Sequence, residues 1–326
     1  MKAIQFSRFG GPEVLEVVDV PVPAPGPGEA LVRVEAAGIN FFEVLMRADR
    51  YAVTPSLPMF PGVEAAGVVE AIGDGVDPSL SGRRVAAPLF ASARPFGGYA
   101  EYVAIDASLA APLPDALRFE DATALMVQGL TALYLLRQCK PAGKVVLVPA
   151  AAGGVGSLLL QLAKEQGAAR VIALAGGRTK RDLALALGAD MAIDSGHAGW
   201  PAQVCDAVGG PGVDIVYDTV GGPMTKDFMD VLAPGGELVF AALGRFELPA
   251  RDLEAMIGRN QSLKGFALLP LLSPDITRAS LAELFELTAR GRLKVEIGGR
   301  FPLDQAAVAH RLLEERRAAG KVVLIP

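Results

Sequence analysis

The segment whose residue types and spacing most plainly serve chemistry is Lys144 to Gly156, KVVLVPAAAGGVG. A β-branched run stops at three glycines, and a helical pattern of Ser157, Leu158, Leu159, Leu160, Leu162 and Ala163 follows. Ala151 to Gly156 is close to the G-x-G-x-x-G turn that binds a dinucleotide, with Ala151 in place of the first glycine. In such a turn Gly153, Gly154 and Val155 bring bare backbone to a pyrophosphate, and Gly156 lets the helix sit against the strand. The same glycines also suit a plain packing turn. About 20 residues past the glycines, an NAD site places an acid for the ribose 2′-OH. Here Ala173-Leu174-Ala175-Gly176-Gly177 has none, and Arg178, Lys180 and Arg181 follow. Those cations suit the 2′-phosphate of NADPH, the competing reading being a solvated basic first turn of a helix. Metal chemistry has few donors. Cys139, Cys205, His197 and His310 are the only residues of their types and none has a companion at ligand spacing, so both histidines are expected at helix surfaces or ends.

The elements that position these residues can be read outward from the turn. From residue 144 to 242, strand and helix alternate: strands at 170–175, 191–193, 213–218 and 237–242, helices near 179–187, 198–208 and 224–232. That order predicts a doubly wound parallel sheet, with Ser262 to Leu268 as a further strand. Upstream, short strands separated by Gly and Pro (2–6, 14–20, 30–37, 59–73, 82–87 and 98–105) predict a small, partly open β-barrel. A helical period spans Glu120 to Cys139. The tail, with helices near 280–290 and 303–319 and a terminal strand at 321–325, returns to the character of the N-terminal part. The expectation is therefore an α/β chain in three segments: barrel at 1–120, nucleotide-binding domain at 121–268 and barrel again at 269–326.

With 326 residues, 51% hydrophobic and 21% charged, the composition is that of a soluble enzyme-sized chain. A net charge of −5 disfavours nucleic acid as partner. No stretch approaches the roughly 20 apolar residues of a membrane span, the N-terminus has no signal-like apolar core, and two cysteines fit a reducing compartment, so a cytoplasmic protein is expected.

Seven segments in order resemble the zinc-free quinone oxidoreductase (zeta-crystallin-like) group of the medium-chain dehydrogenase/reductase superfamily: Ala36 to Phe41, Pro61 to Val69, Gly98 to Tyr102, Gly129 to Ala132, Ala151 to Gly156, Asp218 to Gly222 and Gly320 to Leu324. The resemblance implies a Rossmann sheet inserted in a GroES-like barrel. Zinc-dependent relatives place a Cys just after the Gly38-like position and a His-Glu pair at PGVE; here Ile39, Asn40 and Val63 stand there and only Glu64 survives. The resemblance also puts a phosphate-binding lysine at Lys180 and points to Thr131, Val220, Gly244 and Phe266 around the nicotinamide. From the barrel it points to Asn40 and Tyr51, Tyr51 as a hydrogen-bond or proton donor and Asn40 as a holder of cofactor or substrate carbonyl; the plainer alternatives are a loop cap for Tyr51 and a turn bond for Asn40. Glu43 departs from the family's frequent Asp.

The expected function is an NADPH-dependent, metal-independent reductase delivering hydride to a quinone or other α,β-unsaturated carbonyl. An enoyl-thioester reductase is the alternative, and a non-catalytic NADPH-binding structural or RNA-binding protein a weaker one. A substrate pocket between the domains is expected to use Phe41, Phe42, Tyr51, Leu89, Phe90, Phe246 and Leu268 to Leu272. By resemblance the protein is a homodimer joined through an edge strand, either Gly236 to Ala242 or Ser262 to Leu268.

Overall fold

A computed structural model describes Met1–Pro326 and divides the chain into two units, Met1–Leu130 with Leu269–Pro326, and Thr131–Leu268. The first unit opens on a hairpin, β1 (Lys2–Gln5) against β2 (Glu16–Asp19), joined across the Gly10-Gly11-Pro12 turn. After the proline-rich connector comes β3 (Glu29–Ile39), then α1 (Phe41–Arg47), β4 (Ala65–Ile72), β5 (Arg84–Ala87), β6 (Tyr102–Asp106) and β7 (Ala111–Pro112). β3 is the axis of this unit because it pairs with three strands, β4 and β6 among them. Eight of its 11 residues are buried, which suits a strand covered on both faces over most of its length. Gly67 lets β4 close on it: a Cβ there would fall 1.9 Å from the Arg33 carbonyl oxygen.

The helical stretch expected from residue 120 is broken in the middle. α2 (Phe119–Ala124) gives way to a π-turn at Leu125–Gly129 before α3 (Leu130–Gln138). The cause is visible, since the Glu64 carboxylate accepts the Val127 N–H at 2.8 Å and so takes a donor out of the helical ladder. α2 packs on β3 and β4, so this stretch belongs with the barrel and the first division falls after Leu130, not at residue 120.

The second unit alternates as the periodicity predicts: β8 (Val145–Pro149), α4 (Gly154–Glu165), β9 (Arg170–Ala175), α5 (Arg178–Ala186), β10 (Met191–Asp194), α6 (Trp200–Val208), β11 (Val213–Asp218), α7 (Met224–Asp230), β12 (Leu232–Phe240), α8 (Ala250–Gly258) and β13 (Ser262–Gly265). All pairings are parallel, in the order β10-β9-β8-β11-β12-β13. The chain winds one way from β8 to β10 and the other way from β11 to β13, so the order reverses between β8 and β11. β12 is an interior strand, which removes Gly236 to Ala242 as an edge; β13 is the edge on that side. The core of this unit gathers Leu147, Ile172, Val216, Leu238, Trp200 and Phe228, the last two with ring centroids 5.6 Å apart.

The return segment adds a helix, α9 (Pro274–Ala289), then β14 (Ile297–Pro302), α10 (Ala306–Glu314) and β15 (Lys321–Ile325). β15 lies antiparallel to β3 and carries β14 on its outer side, completing a seven-stranded sheet. Its end strands β14 and β7 do not pair with each other, so the barrel stays partly open. α8 and β14 were not expected. The first follows a loop that ends on Pro249, and the second, IGGRFP, lacks apolar alternation.

Candidate cofactor and active site

β8 runs through Val146, Leu147 and Val148, all buried, and breaks at Ala150, a non-glycine residue at φ +46°. α4 then starts from Gly153 as N-cap, with no side-chain oxygen offered to the first-turn N–H groups. Those donors and the positive helix end suit the pyrophosphate of a dinucleotide. A Cβ on Gly156 would lie 2.3 Å from the Ala150 carbonyl oxygen and 2.8 Å from the Ala151 Cα, so only glycine lets α4 sit this close to β8. Gly153 is tight as well, its Cβ position 3.1 Å from the same oxygen, while Gly154 and Val155 follow half-buried in the first turn.

At the end of β9, Ala175 leads through Gly176 and Gly177 (φ +75°) into α5. Arg178 is exposed and 3.6 Å from Asp182; Lys180 is half-buried in the same turn. Arg181, read in sequence as a third cation for a phosphate, is instead paired with Asp194 at the end of β10.

Val220, Gly244 and Phe266 follow the carboxyl ends of β11, β12 and β13, so parallel pairing puts all three on the edge of the sheet that carries the glycine turn. Asp218 shapes this corner and was missed in sequence. It is fully buried, and its carboxylate accepts the N–H groups of Val220 at 2.9 Å and Gly221 at 2.7 Å and the Thr225 hydroxyl at 2.8 Å. Burial raises its carboxyl above the usual range against the pull of these donors. Phe266 is fixed by its N–H to the Phe240 carbonyl, 2.9 Å. Thr131 lies in the first turn of α3.

In the barrel unit, Asn40 closes β3 and caps α1. It is 2% exposed, and its amide is fully engaged by the protein. Nδ2 donates to Glu64 Oε1 at 2.9 Å and to Glu43 Oε2 at 3.2 Å, and Oδ1 accepts from Lys321 Nζ at 2.9 Å. The residue expected to hold a carbonyl of cofactor or substrate therefore holds the start of α1. Lys321, from β15, also forms a buried ion pair with Glu64. Glu43 accepts the backbone N–H of Asn40 at 2.8 Å and of Gly62 at 3.1 Å. Burial first, and the Glu64 charge second, push the Glu43 carboxyl up to about 7. Nothing in the sequence marked Lys321 beyond its motif; a lone lysine inside an apolar strand was the available signal.

Tyr51 lies in the turn after α1, half-buried, its ring 5.4 Å from Phe42. Burial raises its phenol above the ordinary value, so the hydroxyl keeps its proton and can donate. Of the other expected pocket walls in this unit, Leu89 is wholly buried in the barrel core and is no wall. Phe90, Leu269 and Leu272 do line a cavity, of about 210 Å³, with Ser92 and Ser273. That is smaller than the roughly 300–1,000 Å³ of sites for drug-sized ligands. Phe246, in the second unit, is exposed and packs edge-on against Phe240 at 4.9 Å. His310 also departs from expectation. It is fully buried in α10, its Nε2 3.4 Å from the Tyr99 hydroxyl, and burial depresses its imidazole to about 3. No three His, Cys, Asp or Glu side chains gather at metal-binding distance.

Two family models match: the alcohol dehydrogenase GroES-like domain over residues 26–115 and the zinc-binding dehydrogenase over 187–324. The chain is 38% identical to a quinone oxidoreductase of Pseudomonas aeruginosa, covering 100% of this chain and 99% of that one. The Escherichia coli quinone oxidoreductase solved in complex with NADPH superposes with a TM-score of 0.91 at 33% identity over the whole of both chains. A solved NAD-dependent alcohol dehydrogenase is similar too, TM-score 0.88 and 35% identity, again over both chains in full. With its GroES-like barrel, its inserted Rossmann sheet and full-length similarity of this degree, the chain belongs to the zeta-crystallin-like quinone oxidoreductase group of the medium-chain dehydrogenase/reductase superfamily.

Proposed function

We propose that the protein is an NADPH-dependent reductase that delivers hydride to a quinone or another α,β-unsaturated carbonyl without a metal. The observation that carries this reading is the end of β9, where Ala175-Gly176-Gly177 offers no carboxylate to a ribose 2′-OH and α5 opens on Arg178 and Lys180. The E. coli relative solved with NADPH supports the same choice. When bound, the dihydronicotinamide supplies the hydride. The chain's part is to bind, orient and donate. Gly153 to Gly156 and the start of α4 take the pyrophosphate, and Asp218 fixes the Val220-Gly221 turn on the same edge of the sheet. Tyr51, kept protonated by burial, donates from its hydroxyl to the acceptor oxygen that gains negative charge. Asn40 acts at one remove, by holding the first turn of α1 in place. Two unpaired cysteines are in keeping with a cytoplasmic setting, no helix is long and apolar enough to cross a membrane, and the β13 edge is the strand through which two copies would pair.

The test is to follow NADPH absorbance with 1,4-benzoquinone, 9,10-phenanthrenequinone, an alkenal and crotonyl-CoA. Turnover is expected with a quinone or the alkenal; turnover of none, despite saturable NADPH binding, contradicts the reading. Tyr51→Phe should lower kcat about ten- to a hundredfold with KM little changed. An unchanged kcat would remove Tyr51 from the chemistry.

A further inference from the structure

β10 ends on Asp194, in register with Ala175 at the end of β9. Its carboxylate is engaged on both sides, Oδ1 accepting the Gly196 N–H at 2.9 Å and Oδ2 pairing with the Arg181 guanidinium. The Gly196 N–H first, then Arg181 and the Gly177 N–H, hold this carboxyl below the usual range. Gly177 is the N-cap of α5. An acidic side chain therefore already draws on the end of the helix that the NADPH reading reserves for a 2′-phosphate. The two loops also meet at Gly176, where a Cβ would lie 3.4 Å from Ser195 Oγ.

We propose that Asp194 tunes cofactor preference: by binding Arg181 and the start of α5 it withholds positive potential from a 2′-phosphate and weakens the chain's grip on it. The inference rests on the NADPH reading above. The charges near the first turn of α5 are Arg178, Lys180 and Arg181 against Asp182 and Asp194, a net of one positive charge. Removing Asp194 doubles that net charge within about one Debye length, roughly 8–10 Å, of the helix start. A phosphomonoester carries about −1.5 to −2 charges and feels the change; a ribose hydroxyl does not. Arg181, once released, is also free to present its planar fork of donors to phosphate oxygens. Asp194 thus acts through Arg181 and is a positioning residue with a specificity effect.

The experiment titrates the full-length protein calorimetrically with adenosine 2′,5′-bisphosphate and with adenosine 5′-monophosphate, ligands that differ only in the 2′-phosphate. Asp194→Asn retains an oxygen for the Gly196 N–H and removes the charge. It should tighten bisphosphate binding about three- to tenfold and leave the monophosphate within about twofold. Arg181→Gln, which leaves the carboxylate without its partner, should weaken the bisphosphate about tenfold with the monophosphate again unmoved. The double variant should return close to the wild type, and Asp194→Ser serves as an independent neutral replacement. If both neutral variants leave the ratio of the two affinities unchanged, or shift both ligands alike, Asp194 has a structural role only and the inference fails. A wild-type protein that does not prefer the bisphosphate overturns the NADPH reading and this inference together. A wild type with the preference and variants without the shift overturns this inference alone.

Discussion

In the barrel unit, the polar groups around Asn40 are sealed from water and satisfied by one another, whereas in the nucleotide unit the glycine turn offers bare backbone and α5 offers charges to solvent. Asn40 with Glu43, Glu64 and Lys321 come from three places in the chain, and each is between 0% and 4% exposed. Such a cluster is rigid and unforgiving, because every group removed leaves another without a partner at low dielectric. The basic start of α5 is its opposite, with a modest interaction energy, screening by salt and electrostatics that a single substitution can retune. The barrel thus places its residues through buried charge, and on the proposed reading the Rossmann unit selects its ligand through exposed charge. In the second unit Gly156 is as intolerant as the barrel cluster, and its constraint is one of space.

Five substitutions separate these two kinds of site. Lys321→Met strands the Glu64 carboxylate inside the barrel and should cost about 3–5 kcal/mol of stability by denaturant unfolding. Adding Glu64→Gln should recover much of that loss; if the single variant is as stable as the wild type, the buried pair is not what holds the cluster.

Glu43 gives the comparison a pH axis. Its folded carboxyl titrates near 7 against an ordinary 4.5, so its contribution is complete below about pH 4.5 and is lost as pH rises through 7. Relative to Glu43→Gln, the wild type should lose on the order of 3 kcal/mol of stability between pH 4.5 and 8. Parallel stability curves for the two proteins would contradict the assignment.

Gly156→Ala drives a methyl group into the Ala150 carbonyl, and the shift of α4 should cost about 1–3 kcal/mol. Its signature should be functional as well as structural: NADPH and NADH affinity should fall together, since both carry the pyrophosphate. The smallest effect is expected at Lys180→Ala, which should weaken NADPH about five- to tenfold, leave NADH unchanged and lose its effect at high salt.

The nucleotide unit was more legible in the sequence than the barrel, for a physical reason. A phosphate turn is contiguous, since strand, glycines and helix start lie within Lys144 to Ala163, and parallel winding leaves a regular alternation of periods. The barrel cluster is long-range. Lys321 and Glu64 are 257 residues apart in the chain, and no local pattern announces that β15 will lie beside β3. His310 misled for a related reason, because a polar residue on an amphipathic helix is assigned to the wet side, whereas α10 turns it toward Tyr99. Arg181 read correctly as a cation, but its partner Asp194 becomes visible only once β10 is laid next to β9.

That NADPH is preferred over NADH can be checked by steady-state kinetics with one quinone acceptor. The ratio of kcat/KM for NADPH over NADH should exceed about tenfold at low salt and fall toward one in Lys180→Ala. Equal use of NADH and NADPH by the wild-type protein, with Lys180→Ala indistinguishable from it, would contradict the claim.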